Sequence, residues 1–419
     1  MTGSDITKKI YYRIVFQLAS ALSVGGGENR FSDGDMIRNS LGEPFVPGSS
    51  LAGIYRSLLD AGEAEDYFGT ARGNGRNAES KVLVYDARLY GSSKERPCRS
   101  VLRGCVGLDE WKAGRPGDKF DFEAVEPGAE FVTYLEQNCG SEDRDICGKL
   151  AAAWLERRIR MGRKTMRGLG SVDRVTVRRR SFDFTQEDGI GAWLDFDMYR
   201  EEDWEKAEPV QETVRGKGRK ESVVLEMALR QKSGISIRRY TTRVRTDGVQ
   251  PDAEQLTCVL SEDGRETPYI PGTSWAGAFR HHMEQLAPGC TKRYFGSCER
   301  RSQVRFAESF IQEASPKTLV RNAVDRFTGG TVDTSLFAEK MWYGGKTRLY
   351  LEIPAGTTPE FRQALAASLV DLHMGILCVG GLTAVGRGLF EGEELKINGK
   401  PVPISGEMYG EILKKLEEG

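Results

Sequence analysis

The sequence has no apolar run long enough to span a bilayer, and its opening residues, MTGSDITKKIYYRIVFQL, lack an apolar signal core and a small-residue cleavage site. A cytoplasmic protein without membrane contact is expected. None of its 8 cysteines form a C-x-x-C pair, and it has only 3 histidines, His281, His282 and His373. A structural zinc site therefore has few ligands to draw on, and the thiols read as free in a reducing compartment. Neither sign of charge is in excess, with 60 Lys+Arg against 61 Asp+Glu. A nucleotide P-loop, an H-E-x-x-H pair, a nucleophile elbow and a kinase signature are all missing. Gly-rich segments do not sit directly between a first strand and its helix, as a dinucleotide-binding turn requires.

What is present is a soluble composition, 39% apolar and 29% charged, over 419 residues, enough for two or three domains. The balanced charge hides segregation. Residues 157–180 carry ten basic side chains and one acid, Asp173, while residues 183–208 are rich in Asp and Glu. Where charge sits matters more for a phosphate-tracking surface than its total.

The dominant feature is an internal repeat. Pro47-Gly48-Ser49-Ser50 recurs as Pro271-Gly272-Thr273-Ser274, 224 residues on. Tyr67-Phe68-Gly69 recurs as Tyr294-Phe295-Gly296, Leu108-Asp109 as Val324-Asp325, and Gly168-Leu169-Gly170 as Gly386-Arg387-Gly388, at offsets of 227, 216 and 218. Each copy reads as a strand (residues 11–19; 223–229) and then a helix entered through Pro-Gly-Ser/Thr-Ser, whose hydroxyls are expected to cap the helix. A strand follows (81–89; 303–310), then a long polar hairpin-like excursion and a returning strand (130–135; 347–353). A second helix (146–161; 359–374), a Gly-rich loop and a final strand complete the copy. The order β-α-β-β-α-β predicts an α+β fold of two tandem ferredoxin-like (RRM-like) modules, with helices on one sheet face and the other face free for a ligand. The expected boundaries are 1–180, a linker at 181–221, a second module at 222–395 and a tail at 396–419.

Candidate chemistry lies in the loops. Residues 162–170 and 380–388 are Gly-rich, so their amides can approach a phosphate, and Arg163, Lys164 and Arg167 add counter-charge to the first. A tight helix-to-strand turn needs glycine anyway, but two such loops at equivalent places point to phosphate contact. Asp33 and Asp35 lie in a glycine-bearing loop before Pro47, with Asp252 as the nearest match in the second copy. Such a carboxylate suits either a solvated turn, or cation binding and positioning of a 2′-hydroxyl. His281 and His282 have no matching nucleophile and read as helix surface. The excursions end in apolar residues suited to stacking on or wedging between bases.

Together these landmarks resemble the RAMP superfamily of CRISPR systems. The likeness is specifically to backbone subunits of type III (Csm- and Cmr-like) effector complexes, the tandem arrangement being similar to type III-D. The residues that carry it are 46–53, 270–277, the Phe-Gly pairs, Val324-Asp325-Arg326-Phe327-Thr328-Gly329-Gly330 and the two Gly loops. The resemblance implies hairpin thumbs that displace one guide–target pair per module. It implies guide RNA held by Ser49, Ser50, Arg56, Arg163, Lys164, Arg167, Gly168 and Gly170 in the first module. In the second it implies Thr273, Ser274, Arg280, Arg326, Gly381, Arg387 and Gly388. It implies a metal-dependent endoribonuclease cutting target RNA at Asp33 or Asp35, with Asp252 the candidate in the second module and Asp33 the candidate ligand of a divalent cation, expected as Mg2+. Implied partners are guide CRISPR RNA, complementary target RNA, a large polymerase-like subunit and small subunits. The alternatives are a non-catalytic guide-binding subunit and a tandem ferredoxin-like metabolic enzyme.

Overall fold

The structure is a computed structural model that describes residues 6–26, 34–69, 79–91, 98–108, 114–211, 222–238, 251–260, 264–297, 299–333 and 335–418. It divides into two compact units, residues 1–103, 121–165 and 169–218, and residues 104–120, 166–168 and 219–419. In chain order the first copy runs β1 (Lys8–Leu18), α1 (Gly48–Leu58), α2 (Ala61–Phe68), β2 (Val82–Val84), β3 (Arg88–Leu89), β4 (Ser100–Leu108), β5 (Gly114–Val125), β6 (Glu130–Cys139), α3 (Ile146–Leu155) and β7 (Val172–Asp183), then α4 (Gly189–Leu194) and β8 (Glu208–Pro209). The second runs β9 (Ser222–Gln231), β10 (Ala253–Glu254), β11 (Thr257–Val259), β12 (Glu266–Ile270), α5 (Gly272–Leu286), β13 (Arg305–Phe306), β14 (Ser309–Phe310), β15 (Ser315–Arg321), β16 (Phe337–Tyr343), β17 (Lys346–Pro354), α6 (Pro359–His373) and β18 (Phe390–Ile397). It closes on β19 (Lys400–Val402) and α7 (Met408–Glu418).

Both main sheets have the ferredoxin-like order. The first is β2-β6-β1-β7-β8 and the second β13-β17-β9-β18-β19, with antiparallel neighbours throughout. Period-two alternation explains the layering. Ile10, Tyr12, Ile14, Phe16 and Leu18 of β1 face the helices, as do Val223, Leu225, Met227 and Leu229 of β9. Leu51 and Tyr55 of α1 meet the first core at one-turn spacing, and Trp275, Phe279 and Met283 of α5 meet the second. Each core buries an indole whose N–H is satisfied: Trp154 donates to the Tyr55 hydroxyl at 3.0 Å, and Trp275 to the Ser309 hydroxyl at 2.9 Å.

The structure departs from the sequence reading in several places, among them the helix expected over 146–161, which ends at Leu155. The strands expected at 81–89 and 303–310 are each broken into two short pieces. In the first copy the break frees Asp86, whose carboxylate accepts the Gly48 N–H at 2.7 Å. The helix-entry hydroxyls are not caps, because Pro47 and Pro271 occupy the cap position; in α1 the Asp86 carboxylate accepts the first helical N–H instead. The segment read as the start of a linker is built onto the first sheet. Trp204 is 1% exposed and packs with Tyr11, Val132, Tyr134 and Phe182 on the face away from the helices. The residues read as a tail form β19 and α7, whose Met408, Ile412 and Leu416 join the second core at one-turn spacing.

Candidate nucleic-acid interface

The two Gly-rich loops have the same backbone. Positive φ angles recur at Gly162 and Gly380 (76° and 99°), Lys164 and Leu382 (both 58°), Gly168 and Gly386 (92° and 78°), and Gly170 and Gly388 (71° and 72°). A single 3-10 turn sits inside each, Thr165–Arg167 and Thr383–Val385. The anchoring is repeated too. Arg163 N donates to the Ser23 carbonyl and Gly381 N to the Ser236 carbonyl, each at 2.7 Å. Gly170 N donates to Ala21 O at 2.8 Å and Gly388 N to Gly234 O at 3.0 Å. Added side chains at Gly170 and Gly388 would collide with the Met161 and Val379 carbonyls, so glycine is required at both.

The side chains on these matched loops differ. In the first, Arg163 and Arg167 are exposed and the Lys164 ammonium lies 4.0 Å from the centroid of the Phe122 ring. In the second, Gly381 and Leu382 replace Arg163 and Lys164, Val385 is 60% exposed, and Arg387 donates to the Tyr343 hydroxyl at 3.4 Å.

The first loop lies against the segment after β1. Gly26 N donates to Asp35 O and Ile37 N to Val24 O, each at 2.9 Å, so residues 24–26 and 35–37 form a short antiparallel stem. The Arg163 guanidinium lies directly over Gly25 and Gly34, so a side chain at either would have to displace it. Asp35 is half-buried in this stem; Asp33 lies outside the described residues. In the second copy, one Asp252 oxygen accepts the Ala338 N–H at 2.7 Å while Asp252 N donates to Ala338 O at 2.8 Å. That carboxylate joins the loop to β16. Among the described residues no group of three His, Cys, Asp or Glu side chains could hold a metal ion. A divalent cation at Asp35 would draw its other ligands from beyond the described His, Cys, Asp and Glu side chains, phosphate oxygens and water being usual ones.

The helix entries leave their hydroxyls outward. Ser49, Ser50 and Thr273 lie in the first turns of α1 and α5, with Ser49, Ser50 and Thr273 exposed and Ser274 half-buried. Arg56 is occupied differently: it donates to the carbonyls of Phe68 and Gly69 at 3.2 and 3.0 Å, tying off the end of α2. Arg280, on α5, is exposed.

The β15–β16 hairpin ends in an ordered tip. The Asp325 carboxylate accepts N–H groups from Phe327 and Thr328 at 2.9 and 2.8 Å and the Thr328 hydroxyl at 3.0 Å. Those bonds hold the Asp325 carboxyl below its ordinary range. The turn presents Phe327 at 99% exposure beside exposed Arg326 and Val324. An aromatic side chain held in water by its own turn is a surface for another ring.

The sheet faces give the opposite result. Residues 184–209 cover the first sheet away from its helices. Trp193 donates to the Tyr11 hydroxyl at 2.9 Å, Arg13 pairs with Glu201 at 2.5 Å, Arg178 donates to Trp204 O at 2.7 Å, and Arg88 stacks 4.5 Å from the Tyr199 ring centroid. Burial pushes the Tyr11 phenol up to about 12. The corresponding face of the second sheet carries paired charges, with Arg348–Glu226 at 3.1 Å and Arg230–Glu391 at 2.6 Å. The expectation of a free sheet face for ligand thus fails in the first module, where the acidic, aromatic segment fills it.

Glu123 and Arg38 are polar residues at this site that the sequence did not single out. They pair between β5 and the segment following the stem. An acid inside an alternating strand gives no signal of its own in a sequence.

Comparison with known proteins agrees with the repeat. A family model described as the RAMP superfamily matches residues 15–173 and 241–391. No curated protein matches. Among solved structures, a chain of a type III-B Cmr-beta complex bound to cognate target RNA, determined by cryo-electron microscopy, is similar with a TM-score of 0.32 and 14% identity. The match covers 42% of this chain and 61% of that one.

Proposed function

Since the chain belongs to the RAMP superfamily, we propose that it is a backbone subunit of a type III CRISPR RNA-guided effector complex, gripping guide RNA with both modules and cutting complementary target RNA with the first. The observation that carries this reading is the pair of Gly loops. Their left-handed positions coincide, and the family match spans both copies. Amides and glycines at such a loop suit phosphate oxygens whatever the base, so sequence would be read by guide pairing and not by the protein. The partners are guide RNA, target RNA, a large polymerase-like subunit and small subunits.

Cutting follows from strand chemistry. The target 2′-oxygen attacks the adjacent phosphorus, a bond to that oxygen forms as the P–O5′ bond breaks, and the leaving 5′-oxygen takes a proton from solvent, so that the products carry a 2′,3′-cyclic phosphate and a 5′-hydroxyl. Regular duplex geometry forbids the in-line approach; displacing one base by a hairpin tip permits it. A loop carboxylate, Asp33 or Asp35, takes the hydroxyl proton, while Arg163 and Lys164 offset the charge that develops on the phosphate. A bound divalent cation would add further charge neutralisation there. The second module grips RNA, and its Asp252, already bonded to Ala338, is the weaker candidate for cutting. That bond, with the lack of a three-ligand metal cluster among the described residues, favours a second reading in which the subunit binds guide RNA without cutting.

The test is a guide-loaded assembly offered a complementary RNA, with Asp33→Ala and Asp35→Ala compared with the unaltered chain. Loss of the first-module cut in either variant, with guide retained, is the expected result. Regular cuts that persist in both variants would remove these aspartates from the mechanism. An unaltered assembly that never cuts would establish the purely structural reading.

A further inference from the structure

One side chain ties the loop after β1 to the hairpin β4–β5. The Glu123 backbone N–H donates to Gly34 O at 2.8 Å. Its Oε2 accepts the Met36 N–H at 3.0 Å. Asp35 is thus bracketed by two hydrogen bonds to a single residue of β5. The other carboxylate oxygen meets the Arg38 guanidinium, which also reaches Ser100 Oγ of β4 at 2.9 Å and Gly42 O at 2.8 Å. Burial pushes the Glu123 carboxyl up, but Met36, Ser100 and Arg38 outweigh it and hold the group below its ordinary value.

The second copy has a comparable carboxylate, although its arginine comes from β15 of the hairpin and not from the loop. Glu339, 216 residues on and 1% exposed, lies on the returning strand of its hairpin. It accepts the Ser236 hydroxyl from the loop after β9 and pairs with Arg321 at 2.5 Å. The Ser236 carbonyl in turn accepts the Gly381 N–H of the Gly loop at 2.7 Å. A carboxylate that joins hairpin, loop and arginine in both copies is more than a surface ion pair.

We propose that Glu123 is a positioning residue, fixing the loop carboxylate Asp35 at a constant distance from the base of the thumb hairpin. The inference rests on the RNA-cutting reading. It explains how two parts that act on one phosphate keep their spacing: the hairpin opens the backbone and the loop supplies the carboxylate, and Glu123 bonds to both. Misplacing a reacting group by about 1 Å costs on the order of a hundredfold in rate, so the clamp is a kinetic device and not a stabilising ornament.

The experiment uses the full chain in its guide-loaded assembly, with Glu123→Ala and Glu123→Gln. Single-turnover cutting of a complementary RNA and hydrogen exchange at the Met36 amide are both followed. Glu123→Ala is expected to slow cutting by roughly ten- to a hundredfold, to speed Met36 exchange, and to leave guide retention unchanged. Glu123→Gln, which still offers an acceptor to Met36, should keep that amide protected and lose less activity. Cutting at the unaltered rate in Glu123→Ala, or slowed cutting with Met36 still protected, overturns the proposal. If Asp33→Ala and Asp35→Ala both leave cutting intact, the aspartate mechanism falls and the positioning role with it; an unaltered assembly that never cuts removes the cutting reading itself. Dependence on those aspartates without dependence on Glu123 removes the positioning role alone.

Discussion

The two modules share a backbone and differ in what it carries. Their Gly loops repeat the same left-handed positions and the same anchoring bonds, yet one holds Arg163, Lys164 and Arg167 where the other holds Gly381, Leu382 and Val385. One sheet face is sealed by residues 184–209; the other carries paired charges. One loop aspartate, Asp35, follows Gly34, over which the Arg163 guanidinium lies, and the other, Asp252, is bonded to Ala338. Backbone geometry that can contact any phosphate has been kept in both, while the side chains that add charge or chemistry have been concentrated in the first. In the proposed reading the grip belongs to the loops and helix entries, and the sheet serves as scaffold.

The sealed face gives the largest expected effect. Trp204→Ala should destabilise the first unit by about 3–5 kcal/mol, the usual cost of emptying a buried indole site. Tyr350→Ala, on the charged face of the second sheet, should cost much less. Urea unfolding followed unit by unit checks this, and equal losses would break the contrast between the faces. Next is charge on the Gly loops. The triple variant Arg163→Ala, Lys164→Ala, Arg167→Ala should flatten the salt dependence of guide binding by about 2 in log–log slope, at roughly 0.7 per phosphate contact on a single strand. Arg387→Ala should flatten it by about 0.7 on the same basis. Filter binding over a salt series would show whether the first loop dominates.

The thumb tip gives a smaller effect. Phe327→Ala should weaken target-bound assembly by roughly 1–3 kcal/mol, the scale of one aromatic–base stack, while binding of guide alone stays the same. The smallest effect is in pH. The folded-state pKa of Asp325 is depressed, so its turn is fully supported above the ordinary carboxylate value of about 3.9 and is lost as pH falls through the lower folded value. Amide exchange at Phe327 and Thr328 should rise over that acidic window, and Asp325→Ala should show the faster exchange already at neutral pH.

Much of this was readable in the residues. Proline, glycine and hydroxyl residues at constant offsets marked the helix entries, because few other residues tolerate those turns. The Gly loops were readable for the same reason, and strand alternation in residues 223–229 marked the second core. What escaped depends on contacts distant in sequence. Trp193 and Trp204 follow no period and lie among acids, so nothing local says that they seal a sheet. Asp86 breaks a strand to reach Gly48, a bond spanning 38 residues. Met408, Ile412 and Leu416 do follow a helical period, and that tail could have been placed in the core. Glu123 had no local signal, since its meaning comes from Met36 and Arg38.

The central claim is that both loops, and not the sheet faces, hold RNA. Photocrosslinking of the RNA-loaded chain followed by mass spectrometry tests it most directly. The account predicts crosslinks in residues 163–167 and 381–387. Crosslinks confined to Tyr11, Arg13, Tyr134 and Arg180 of the first sheet or to Tyr350 of the second, with none in either loop, would contradict it.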